Sequence, residues 1–166
     1  MRKLLIRGAI AAMFASLAAC GGSSGGSPSD QALRRQGDIY AIGQIERTFH
    51  ESLAKKNIDQ MMSLWTSNAT FTFGPGQTAT GTEQIRQTWL KSTAFKPATH
   101  WLSDHPAYKL RVTVNGDRGT LHFECHFIDV DTGKVAAVTA GDLDVARIGG
   151  RWLITKMVGG TTELAI

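Results

Sequence analysis

The chain has 166 residues, enough for one domain of ordinary size. Its formal net charge of +4 is concentrated at the N-terminus: Arg2, Lys3 and Arg7 carry three of the positive charges, and from Cys20 onward 15 Lys and Arg stand against 14 Asp and Glu. No basic stripe is left to contact phosphates, which excludes a nucleic-acid-binding surface.

Met1 to Arg7 is a positive leader, and Gly8 to Ala19 is a small, apolar run too short to span a bilayer stably. Together they have the form of a secretory signal. The run ends in Leu17-Ala18-Ala19-Cys20, which resembles the lipobox of bacterial lipoproteins. The resemblance implies cleavage before Cys20 and a diacylglycerol on its thiol. Gly21 in the next position implies sorting to the outer membrane, on its periplasmic face. Gly21 to Asp30 reads as a flexible tether rich in Gly and Ser. The expected division is a signal peptide over 1–19, a lipidated Cys and tether over 20–37, and a folded domain over 38–166. With Cys20 acylated, Cys125 remains as the one thiol, and an internal disulfide is excluded.

Asp38 is placed to cap a helix in which Ile42, Ile45, Phe49 and Leu53 recur at helical spacing. Asn57 opens a second, short helix, with Gln60 set for a capping contact and Ile58, Met61, Met62 and Trp65 as its apolar stripe. Ser67-Asn68 breaks it, and Ala69 to Phe73 alternates like a strand. After the Gly74-Pro75-Gly76 turn, Thr82 is placed to cap a third helix carrying Ile85 and Trp89. From Thr99 the period becomes two. Strands are predicted at 99–114, 118–130, 134–148 and 151–162, with turns at Asn115-Gly116, Asp131-Thr132-Gly133 and Gly149-Gly150. Helices first and an antiparallel meander after them make an α+β domain, in which the helices cover one face of a bent sheet and leave a pocket between the layers.

Within the meander, Asp142 and Asp144 are two residues apart and share a face, either outer solvent or a hydrated pocket. Against apolar walls a carboxylate is desolvated and its pKa rises, and a second carboxylate nearby raises it further. Such a group serves as a hydrogen-bond donor or a general acid/base. His122, Glu124 and His126 share one strand face, but residues two apart lie nearly 7 Å apart along a strand, a spacing that suits a solvated face better than one ion's coordination sphere, and no metal is expected there. Two registers of the 118–130/134–148 hairpin stay open. An even-sized loop at 131–134 puts the aspartates with Leu121, Phe123 and Cys125, whereas a three-residue loop with a Gly bulge pairs His122 across from Asp142. Cys125 alternates with Leu121, Phe123 and Phe127 and reads as buried packing. His50 reads as a helix-surface residue, His105 is given no role, and Trp101 and Trp152 read as sheet packing or a dimer contact.

The order of these elements carries a further resemblance. Asn57 to Phe73 is similar to the helix-to-strand passage of the SnoaL-like and ketosteroid isomerase-like families of the nuclear transport factor 2-like superfamily. Gly81-Thr-Glu-Gln-Ile85 resembles the start of their third helix, and Asp144-Val-Ala-Arg147 their late strand. The resemblance covers roughly residues 38–158. It implies a cone-shaped barrel of N-terminal helices packed on a strongly curved antiparallel sheet, enclosing a deep and mostly apolar pocket. Asp144 falls where ketosteroid isomerases keep a protonated Asp, and His100 falls near a pocket His of SnoaL-like sequences. The isomerase general base corresponds to Phe73, and its three pocket tyrosines to Phe49, Trp65 and Trp89, so steroid isomerisation by that mechanism is a poor fit while an aromatic-walled pocket survives. The family pattern favours the first register. The His/Asp constellation of scytalone dehydratase, a relative in fold, is what the second would reproduce.

The resulting expectation is a membrane-tethered domain that binds a small hydrophobic molecule. Asp144, His100 and Asp142 are the candidate acid/base groups. Phe49, Trp65, Phe73, Trp89, Phe123 and Thr155 are the candidate ligand contacts, and Cys20 is the lipidation site. No cofactor is expected, and a homodimer remains open. The alternative is a non-catalytic assembly module of a cell-envelope complex.

Overall fold

The computed structural model of the chain describes residues 27–96, 101–103 and 109–164. The first helix, α1 (Pro28–Ala54), starts earlier than Asp38. Ser27 accepts from the Asp30 amide at 3.2 Å, and Asp30 accepts from the Ser27 amide at 3.1 Å, a reciprocal capping box with Pro28 at the first helical position. That signal outranks a lone Asp, and residues 28–37, expected in the tether, are helical. They are also exposed, so these turns project beyond the core. From Ile42 the helix lies on the sheet through Ile42, Ile45, Phe49 and Leu53, all buried.

Helix α2 (Ile58–Met62) is capped by Asn57, whose side chain accepts from the Gln60 amide at 3.0 Å. Helix α3 (Gly81–Lys91) begins at Thr80 and Gly81, not Thr82. Gly81 takes φ +78°, the left-handed conformation that turns the preceding strand into the helix, and Gln84 accepts from the Thr80 amide at 2.9 Å.

Among the described residues, seven strands form one curved sheet: β1 (Trp65–Gly74), β2 (Gln77–Thr80), β3 (Trp101–Ser103), β4 (Lys109–Asn115), β5 (Arg118–Asp129), β6 (Val135–Ile148) and β7 (Arg151–Glu163). The order is β2-β1-β7-β6-β5-β3, with β4 also on β5. The sheet is mixed rather than wholly antiparallel, because β1 returns alongside β7 in parallel. Within the stretch expected as one strand over 99–114, the described residues form β3 and β4, both on β5: Trp101 opposes Asp129 and Lys109 opposes Glu124.

One irregularity decides which residues face the helices. Asp129 and Lys134 bracket a four-residue loop, joined by a hydrogen bond from the Asp129 amide to the Lys134 carbonyl at 2.9 Å. An even loop alone would have given the first register. A bulge follows at once: Phe127 opposes Ala137 while Ile128 opposes Val135, so Ala136 is the extra residue, and Ala136 and Ala137 are both buried. The extra residue shifts everything beyond it by one, and His122 stands opposite Asp142. Leu121, Phe123, Cys125 and Phe127 then face the helices with Leu143 and Val145, and the core closes between them and α1.

Candidate functional site

A cavity of about 640 Å³ opens between α3, β1, β3 and the end of β7. Its apolar wall is Phe71 and Phe73 of β1, Trp89 of α3 and Trp101 of β3. Trp89 stacks on Phe71 with centroids 4.8 Å apart and planes within 10°. Trp101 stacks on Phe127 at 5.6 Å. Glu83, Gln84, Gln87, Lys91 and Glu163 add polar groups to the lining.

Phe73 and Trp89, expected ligand contacts, line this cavity. Phe49, Trp65 and Phe123 do not. All three are buried in a second layer, where Phe49 meets the edge of Trp89 at 5.2 Å and Trp65 packs on Phe71 at 5.8 Å. Thr155 is elsewhere. It is the bulged residue of β7, its hydroxyl donates to the Asp144 carbonyl at 3.0 Å, and its side chain borders a shallow depression with Asp144 on the opposite face of the sheet. Phe71 and Trp101 were not anticipated as lining residues. Phe71 was reachable from sequence, since it shares a strand face with Phe73; Trp101 was not, because its place depends on where β3 joins β5.

Asp142 and Asp144 lie on the sheet face turned away from the helices, both exposed, with Asp142's side chain at 76%. The expectation of a desolvated carboxylate against apolar walls therefore fails for both, and the Ala136 bulge is the reason. On that outer face His122 Nδ1 lies 2.8 Å from Asp142, its Nε2 lies 3.1 Å from Glu124, and Lys109 donates to Glu124 at 2.7 Å. Asp144 stands between Thr120 and Lys156. The pairing of His122 with Asp142 thus follows the second register, but it faces out of the barrel. His100 and Cys20 lie outside the described residues.

The interior holds polar residues that sequence reasoning missed. His50, read as a surface residue, is 0% exposed, and Glu46 is 3% exposed. The His50 Nδ1 stands 2.9 Å from Glu46 Oε1, to which Cys125 Sγ donates at 3.1 Å. Rings of Phe49, Phe123 and Phe127 surround His50 at 5.2, 5.0 and 5.7 Å. A signal was present: Glu46 and His50 follow Ile42 at four-residue steps, along the stripe that α1 buries.

Elsewhere Asp38, expected as a cap, turns from α1 toward Arg147, which donates to it at 2.6 Å, and Trp152, whose indole N–H donates at 3.3 Å. The bond from Arg147 holds the Asp38 carboxyl below the usual carboxylate range, against burial, which pushes it up; the indole bond and the Arg147 charge lower it further.

Comparison with known proteins agrees with this architecture. A family model described as a SnoaL-like domain matches residues 34–158. An NTF2-like protein with a cystatin-like fold from Novosphingobium aromaticivorans superposes with a TM-score of 0.68 at 18% identity, covering 84% of this chain and 91% of that one. An NTF2-like protein of unknown function from Pseudomonas putida gives 0.65 at 12% identity, over 75% and 87% of the two chains. A hexachlorocyclohexane dehydrochlorinase gives 0.60 at 20% identity, over 81% and 93%. The curated proteins contain no match. With helices over a curved mixed sheet, an aromatic cavity between the layers and a family match across most of its length, the chain belongs to the SnoaL-like domain family.

Proposed function

We propose that this domain, held at a membrane surface by a lipid on Cys20, binds a small hydrophobic molecule in the cavity between α3 and the sheet. The observation that carries the reading is the aromatic wall of Phe71, Phe73, Trp89 and Trp101 around about 640 Å³, a volume in the range of small-molecule sites. Flat rings with few polar atoms favour an apolar body, and the glutamine and charged side chains of the lining suit one polar end. The dehydrochlorinase of similar fold is named for a compact apolar substrate, which matches this size class. Among the described residues, the carboxylates that line the cavity are Glu83 and Glu163. Proton-transfer chemistry on a bound molecule runs through groups such as these rather than through Asp144 or Asp142 on the far face.

The test is native mass spectrometry of the full chain purified from its own host, beside a Thr88→Trp variant. Thr88 lines the cavity from α3 and is only half-buried, so an indole there fills the space without removing core. The wild type should carry a small apolar molecule that the variant loses. Equal occupancy in both, or a wild type that carries none and takes up no apolar dye, would count against the cavity as the functional element.

A further inference from the structure

Glu46, His50 and Cys125 take no part in the cavity, yet they put three metal-ligating side chains of different types together in the core, with ligand atoms within 4.8 Å of one another. The geometry points to a binding site for one borderline-soft divalent cation, of which Zn²⁺ is the type, held by Glu46 Oε1, His50 Nδ1 and Cys125 Sγ. The three atoms are 2.9, 3.1 and 3.9 Å apart. A point equidistant from them lies about 2.0 Å from each, and a small step off their plane reaches the roughly 2.0–2.3 Å of zinc–oxygen, zinc–nitrogen and zinc–sulfur bonds.

The chemistry of the set agrees with the geometry. Thiolate, imidazole and carboxylate together select zinc-like ions over magnesium or calcium, which prefer oxygen alone. One divalent ion with one carboxylate and one thiolate is neutral, so the loaded cluster suits a core in which separate charges would be costly. The donors are already in place. Glu46 and His50 are four apart on α1 and lie on its sheet-facing side, Cys125 meets them from β5, and phenyl rings surround the imidazole. Glu46 also borders a groove of about 440 Å³ between α1 and β4, lined by Gly43, Leu110 and Val112 as well. Binding would displace the thiol proton to solvent, with no change of oxidation state.

The rival use of the same atoms is a hydrogen-bonded trio, in which the imidazole N–H serves the Glu46 carboxylate or the Glu46 carbonyl, 3.0 Å from Nδ1. The full chain carrying Cys20→Ser separates the two, because Cys125 is then its one cysteine. After reduction and chelation it is titrated with Zn²⁺ alone, and separately with Co²⁺. The expected result is one ion per chain, a sulfur-to-cobalt charge-transfer absorption displaced by Zn²⁺, and a higher Tm with Zn²⁺ present. Cys125→Ser should lose the absorption and His50→Gln the stoichiometric uptake. Uptake that survives Cys125→Ser unchanged overturns the site. So does a parent chain that shows no absorption, and that result stands even if the variants fail to fold.

Discussion

Asp38 shows how much a single residue's role depends on its partners. Arg147 reaches it from the β6–β7 side, also donates to Asp117 at 3.0 Å, and lies over the Trp152 ring at 4.7 Å, so one guanidinium ties α1 to two turns of the sheet. Because the folded carboxyl titrates below its unfolded value, its contribution is fully present above the unfolded pKa and is lost as pH falls through the folded one. Asp38→Asn should therefore cost about 1 kcal/mol at neutral pH, the pair being only partly shielded from solvent. The gap from wild type should narrow in acid. Denaturant midpoints at pH 7 and below pH 3 read this directly, and a gap of equal size at both would remove the ion pair as its cause. Asp144 is the contrasting case. Exposed on the outer face, Asp144→Asn should change stability by no more than about 0.5 kcal/mol and leave any bound molecule in place, by thermal melting and native mass spectrometry.

At the level of elements, close approach of strands and rings rests on three glycines, Gly119, Gly141 and Gly159, the last two where β6 meets β7. A Cβ on Gly141 would sit 2.8 Å from the Phe123 ring, and a Cβ on Gly159 would run into the Ala140 carbonyl. The ring has some freedom to move and the carbonyl has little. Gly141→Ala should cost about 1–3 kcal/mol as an overpacked core site, and Gly159→Ala should cost more because the obstacle is backbone. Equilibrium unfolding of the two variants orders them, and a smaller loss for Gly159→Ala would mean that β6 and β7 separate more easily than their pairing suggests. Gly141→Ala should also alter near-ultraviolet dichroism, since Phe123 packs on both Phe49 and His50.

For the molecule as a whole, two regions of the described residues are separate: a cavity under α3 and a polar cluster under α1. Cys20→Ser should move the protein from the membrane fraction to the soluble one, and continued sedimentation with membranes would remove the anchor from the proposal. The family, the α+β order and most element positions were legible in the chain, because period and capping are local: Ile42, Ile45, Phe49 and Leu53 mark a buried helix face wherever that helix is placed. The aromatic character of a pocket was legible too, through Phe73 and Trp89. Which side of the sheet becomes the interior was not, because strand side chains alternate with period two and one inserted residue exchanges the faces. Ala136 is that residue, and it sends Asp142 and Asp144 outward. The meeting of Glu46 and His50 with Cys125, 75 residues beyond His50, likewise depends on where α1 crosses β5, a contact between distant segments that no local pattern encodes.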